Sequence, residues 1–79
     1  MTGKHDIAVT AFIDRYWSEN CCSPTVREIM DAVGIPSSST TRYVVRKVAK
    51  ARGDQLIPNI ARGIIPRWVQ DAIRKAKNA

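Results

Sequence analysis

The segment from Ser23 to Ser37 constrains the fold most, because it fixes both ends of one helix and the start of the next. Thr25 and Glu28 stand at capping-box spacing. The Thr25 hydroxyl can accept from the Glu28 N–H while the Glu28 carboxylate reaches back to the Thr25 N–H. Pro24 and Ile29 are spaced for a hydrophobic staple across that start. Val26, Ile29, Met30 and Val33 then make a short apolar face, and Gly34 supplies a left-handed stop. A helix of about two turns cannot stand alone, so it must pack on neighbours. After Gly34-Ile35-Pro36 a serine hydroxyl at Ser37 or Ser38 can cap the following helix.

That following helix divides into two faces at 3.6 residues per turn. Thr41, Val44, Val45 and Val48 form an apolar stripe; Ser39, Arg42, Tyr43, Arg46 and Lys50 fall opposite it. Its β-branched residues lower helix propensity, so packing must hold it. Upstream, Val9, Phe12, Ile13, Tyr16 and Trp17 recur at helical spacing over residues 5–20 and read as core. Downstream, Gln55-Leu56-Ile57-Pro58 and Arg62-Gly63-Ile64-Ile65 read as short strands around a turn, with Pro58 at a strand end. Pro66 suits the first position of a last helix, whose apolar stripe is Val69, Ala72, Ile73 and Ala76. The expected class is mainly α (α+β): three helices, a two-stranded hairpin and a C-terminal helix. Residues 1–66 form the expected domain, and 67–79 an appended helix.

A chain of 79 residues leaves little volume for both a core and a deep catalytic cleft. It shows no Cys/His or Ser/His pairing with an orienting third group, no metal-ligand cluster and no glycine-rich phosphate loop, so no enzyme and no cofactor is expected. Cys21 and Cys22 are adjacent and cannot close a loop, which points to two reduced thiols in a connection between helices. His5 receives no role. No apolar run is long enough to cross a bilayer, and Met1–Asp6 has no signal-peptide core, so a cytoplasmic protein without membrane contact is the expectation. The net charge is +6, but residues 1–41 sum to −2 and residues 42–79 to +8. Such one-sided excess is the footprint expected for a polyanion partner, with a solubility surface or a membrane surface as the alternatives.

Two helices joined by a short glycine turn, the second with a basic outward face, match the helix-turn-helix pattern, and a following hairpin matches its winged variant. A major groove about 12 Å wide admits one helix, and short hydroxyls near its start can approach base edges. Phe12-Ile13, Pro24-Thr25-Val26-Arg27-Glu28-Ile29, Val33-Gly34-Ile35, Ser37-Ser38-Ser39-Thr40-Thr41 and Arg62-Gly63-Ile64 together resemble the DNA-binding domain of LexA repressors. The resemblance implies a winged helix-turn-helix that binds double-stranded DNA as a transcriptional regulator; the expectation is a repressor, of phage or other mobile-element type, acting on the nucleoid. It places Ser37, Ser39, Thr40, Arg42, Tyr43 and Arg46 where that family's recognition helix faces DNA. Lys50 lies on the same face, and Arg62 would touch a phosphate from the wing. Lys47 and Arg52 read as flanking surface charge.

The likeness breaks at Ser39, Arg42 and Tyr43, where the family's type member has Asn and two Glu, so no operator sequence carries over. The chain has no counterpart of the family's self-cleaving protease domain, so autocleavage does not carry over either. Trp68, Val69, Ala72 and Ile73 are candidates for a homodimer seam, the alternative being that the same stripe closes the domain's own core. No small-molecule ligand is indicated. The competing function is a protein-interaction module, an antirepressor or co-repressor that binds another regulator.

Overall fold

The computed structural model describes residues 5–58 and 60–77. In chain order they form α1 (Asp6–Asn20), α2 (Val26–Val33), α3 (Ser38–Arg52), β1 (Gln55–Leu56), β2 (Ile64–Ile65) and α4 (Arg67–Lys77). The architecture is mainly helical, with one two-stranded antiparallel sheet pairing Gln55 with Ile65 and Leu56 with Ile64. Among the described residues no helix is long and apolar enough to cross a membrane.

Local chemistry explains the helix limits. At α2 both halves of the capping box form. Glu28 N–H donates to Thr25 Oγ1 at 3.1 Å, and Thr25 N–H donates to Glu28 Oε1 at 2.8 Å. Pro24 and Ile29 are both fully buried beside that cap. Gly34, at φ +83°, ends α2, and the Ile35 N–H turns back to the Met30 carbonyl at 3.2 Å, a Schellman closure. Gly53, at φ +78°, repeats the device at the end of α3, with Asp54 N–H donating to the Ala49 carbonyl. Cys21 ends α1 with φ 56°, a left-handed position filled without glycine. Both cysteines carry free thiols.

The core lies where α1, α2 and α3 meet. Val9, Ile13, Ile29, Ile35, Val44, Val45, Val48 and Ile64 are buried together, with Phe12, Trp17, Met30 and Val33 packed half-buried around them. Thr41 is the polar member of the α3 stripe. It is fully buried, and its hydroxyl donates to the Ser37 carbonyl at 2.9 Å, so no donor is stranded. The stripe expected on α3 is thus the buried one.

Two differences from the sequence reading have simple causes. The strands are two residues each rather than four, although Ile57 N–H still donates to the Gly63 carbonyl at 2.9 Å. Pro58 has no N–H to continue the ladder, and Arg62 is drawn away to another partner, described below. Pro66 precedes α4 instead of opening it. Its carbonyl accepts the Val69 and Gln70 N–H groups, while the Arg67 N–H is capped by Asp54 Oδ1 at 2.8 Å.

Candidate nucleic-acid interface

The candidate surface is carried by α3, whose stripe of Thr41, Val44, Val45, Val48 and Ala49 is committed to the core. That commitment turns Ser39, Arg42, Tyr43, Arg46 and Lys50 outward, and all five are exposed, as is Thr40. Ser37 is half-buried and serves as the cap: its Oγ accepts the Thr40 N–H at 3.4 Å. Tyr43 is 61% exposed, with Lys47 Nζ 5.6 Å from its ring centroid.

The distribution of ion pairs decides where the excess charge resides. Glu19 meets Arg15, Asp31 meets Arg27, and Asp6 meets Lys47 at 3.2 Å. Arg52 holds both Asp14 and Asp54 at 3.0 Å, Glu28 meets Arg62, and Asp71 lies between Arg67 and Arg74. All seven acidic residues are thereby paired. Among the described residues, Arg42, Arg46 and Lys50 on α3 and Lys75 and Lys77 on α4 are the cations left without an acidic partner. Exposed pairs contribute only about 0–1 kcal/mol each to stability. Their larger effect is to neutralise other surfaces and leave a positive row on α3.

Beside that row runs an open trough of about 630 Å³ between the helices and the hairpin. Arg42 and Arg46 line one side, Arg27 comes from the first turn of α2, and Leu56, Ile57 and Ile60 form the hairpin side. Ile60 and Leu56 are exposed, so the hairpin presents carbon where a cation was expected. Arg27 and this apolar wall were missed from sequence. The signal available was the placement of Arg27 one turn after a proline-led cap.

Several expected roles change. Arg62 is about half exposed, but its guanidinium lies against the start of α2, donating to Glu28, the Tyr16 hydroxyl and the Ser23 carbonyl, rather than standing free of the hairpin. Arg52 is three-quarters buried between two carboxylates, so it is a structural cation and not flanking surface charge. Lys47 is likewise paired. Of the supposed seam, Val69 is buried in the domain's own core, and the Trp68 Nε1–H donates to Asp14 Oδ1 at 2.9 Å. Ala72 and Ile73 are exposed.

Two of the paired carboxylates, Asp14 and Glu28, are held ionised by their partners. At Asp14 burial opposes the charge, but hydrogen bonds from Arg52 and Trp68 outweigh it and keep its pKa below the ordinary range. At Glu28 the Thr25 backbone N–H acts first, then Arg62, and its pKa is also lowered. Among the described residues no cluster of three or more His, Cys, Asp or Glu is arranged to hold a metal ion. No protein-family model and no curated protein matches this chain.

Proposed function

We propose that this protein is a sequence-reading regulator of double-stranded DNA, of the winged helix-turn-helix type and similar to LexA repressor domains. In this reading α3 enters the major groove and the β1–β2 hairpin is the wing. The row of unpaired cations on α3, flanked by exposed hydroxyls, is the observation that carries it. Arg42 is the residue best suited to a base edge, because a guanidinium can grip guanine O6 and N7 together. Ser39 and Thr40 lie one turn earlier, where short side chains reach bases. Arg46 and Lys50 serve as phosphate contacts. The protein would act in the cytoplasm, on the nucleoid, without catalysis. Two copies would pair through the exposed part of α4 to span two half-sites about one helical turn apart.

Binding selection from a random duplex library, followed by a salt titration on the selected site, tests this reading. If three to five phosphates are engaged per copy, affinity falls roughly 40- to 500-fold for one copy, and on the order of 10³–10⁵-fold for two copies on paired half-sites, between about 50 and 200 mM salt. Arg46→Ala weakens binding to every sequence. Arg42→Ala changes the preferred base, with a loss of about 1–3 kcal/mol for a bidentate contact. An absence of any selected sequence together with a flat salt response would sink the reading and favour the protein-interaction module.

A further inference from the structure

In the Arg62-Gly63-Ile64 motif, the Arg62 guanidinium and both backbone polar groups of Ile64 bond to residues of α1, α2 and the connection between them. Arg62 Nη1 donates to the Ser23 carbonyl at 2.9 Å, to Glu28 Oε1 at 3.0 Å and to the Tyr16 hydroxyl at 3.0 Å. Its Nη2 reaches Glu28 Oε2 at 3.4 Å, and the guanidinium lies 5.9 Å from the Tyr16 ring centroid. The Tyr16 hydroxyl in turn donates to Glu28 Oε2 at 3.2 Å. Ile64 donates its N–H to the buried Ser23 Oγ at 3.0 Å, and its carbonyl accepts the Trp17 Nε1–H at 2.8 Å. Between them, Gly63 is buried so closely that a Cβ there would stand 2.6 Å from the Ile57 carbonyl oxygen. Arg62 and Ile64 therefore dock the hairpin onto α1, the α1–α2 connection and the cap of α2, while Gly63 lets the two arms of the hairpin close on each other.

We propose that Arg62 is a positioning residue: it latches the hairpin to Glu28 at the start of α2, sets the trough beside Arg42 and Arg46, and makes no phosphate contact of its own. The interface role rests on the DNA-binding reading above; the latch itself does not. To turn Nη1 toward a phosphate, Arg62 would have to release the Ser23 carbonyl, the Tyr16 hydroxyl and Glu28, and the Glu28 carboxylate held against the guanidinium repels an anion approaching its remaining N–H groups. Glu28 cannot leave with Arg62, because the same carboxylate holds the Thr25 N–H of the α2 cap. The position of the hairpin is thus tied to the residue that starts the helix-turn-helix pair.

Four variants of the full chain test this: Arg62→Gln, Arg62→Lys, Glu28→Gln and, as a phosphate reference, Arg46→Ala. Glutamine at position 28 can still complete a capping box, so it removes the charge without removing the cap. The latch predicts that Arg62→Gln and Glu28→Gln each speed amide exchange at Ile57 and Ile64, by about tenfold, with the melting midpoint of the helical core little changed. Arg62→Lys behaves alike, since one ammonium cannot replace a fork serving several acceptors. On duplex DNA both position-62 variants weaken binding with an unchanged salt slope, whereas Arg46→Ala lowers the slope by about 0.9. The opposite pattern overturns the proposal. If Glu28 merely stores a phosphate ligand, Glu28→Gln tightens binding and steepens the slope, Arg62→Gln flattens it by about 0.9, and Arg62→Lys rescues. Unchanged exchange in both glutamine variants also overturns it. If the parent protein binds no duplex, the DNA reading fails, and the exchange measurements still decide the latch.

Discussion

Helices α3 and α4 read alike in sequence, each an apolar stripe with a basic opposite face, yet the molecule holds them in opposite ways. Helix α3 buries Thr41, Val44, Val45, Val48 and Ala49, and its orientation follows from packing. Helix α4 buries Val69 alone. The rest of its attachment is polar: Asp54 caps Arg67, Asp14 accepts from Trp68, and Gln70 Nε2 donates to the Ile65 carbonyl at 3.1 Å. Periodicity tells which face of a helix is apolar, but not how much of that face its own domain needs. A helix fixed by packing presents its outer face rigidly, which the proposed reading of a groove by α3 would need. One fixed by a few polar bonds keeps most of its apolar face available.

The sharpest way to break this contrast is to put the same charge into both stripes. Val44→Asp strands a carboxylate in the core at a cost of several kcal/mol, comparable to the whole stability of a small domain. Loss of helical circular dichroism at 25 °C is the expected result. A cooperatively folded Val44→Asp protein would mean that α3 is not fixed by packing.

Most of α3 was legible in advance because its signals are local. The Thr25–Glu28 cap, the Gly34 stop and the Ser37 cap lie within a few residues of what they control, and the alternation of valines with cations is read from spacing alone. The fate of Arg62 and Arg52 was not legible. Their partners, Glu28, Tyr16 and Asp14, are distant in sequence, and a basic residue in a hairpin looks the same whether it faces solvent or a carboxylate. The same limit applied to the last stripe: nothing in Val69, Ala72, Ile73 and Ala76 says that only the first meets the core. The unpaired row on α3 could be found only by subtracting every ion pair from the composition.

A smaller effect is expected where the hairpin joins the two helices. Gly63→Ala forces a methyl group against the Ile57 carbonyl oxygen, backbone that cannot move without opening the β1–β2 pair. A loss of about 1–3 kcal/mol is expected, the range for overpacking a tight site. Chemical denaturation measures it. A neutral result would show that the hairpin is free to shift, and would count against rigid docking by Arg62 and Ile64 as well.

Polar attachment of α4 makes it the acid-sensitive end. Asp14 and Glu28 both have lowered pKa values in the folded protein. The stability they contribute is therefore fully present above the unfolded carboxylate range, about 3.9–4.3, and is lost as pH falls below it toward the folded values. The Trp68 indole N–H resonance should hold steady from neutral pH down to the ordinary carboxylate range and shift only as pH falls below it, before the α3 amides do. Asp14→Asn mimics part of that loss at neutral pH. It keeps one acceptor for Trp68 but weakens the Arg52 pair, for an expected cost of about 1 kcal/mol. Simultaneous loss of α3 and α4 signals in acid would erase the distinction between the two helices.

The smallest effect on the single chain, and the most informative about α4, is expected from Ile73→Asp. Ile73 is 49% exposed, with Ala72 and Ala76 exposed beside it, so an aspartate there remains hydrated. Its cost in folding stability should stay within about 0.5 kcal/mol, the usual limit for surface substitutions. The paired valine gives the contrast: Val69→Asp enters the core and should unfold the end of the domain. If two copies pair through the exposed part of α4, Ile73→Asp abolishes association while leaving each copy folded, because the charge falls in the middle of a small isologous patch. Sedimentation of the parent protein at tens of micromolar, alone and with a selected duplex, provides the baseline. A parent that remains monomeric in both conditions removes the dimer and leaves α4 as a helix whose apolar face serves no second copy. A dimeric parent that survives Ile73→Asp places the seam elsewhere, most plainly away from the stripe that sets α4 apart from α3.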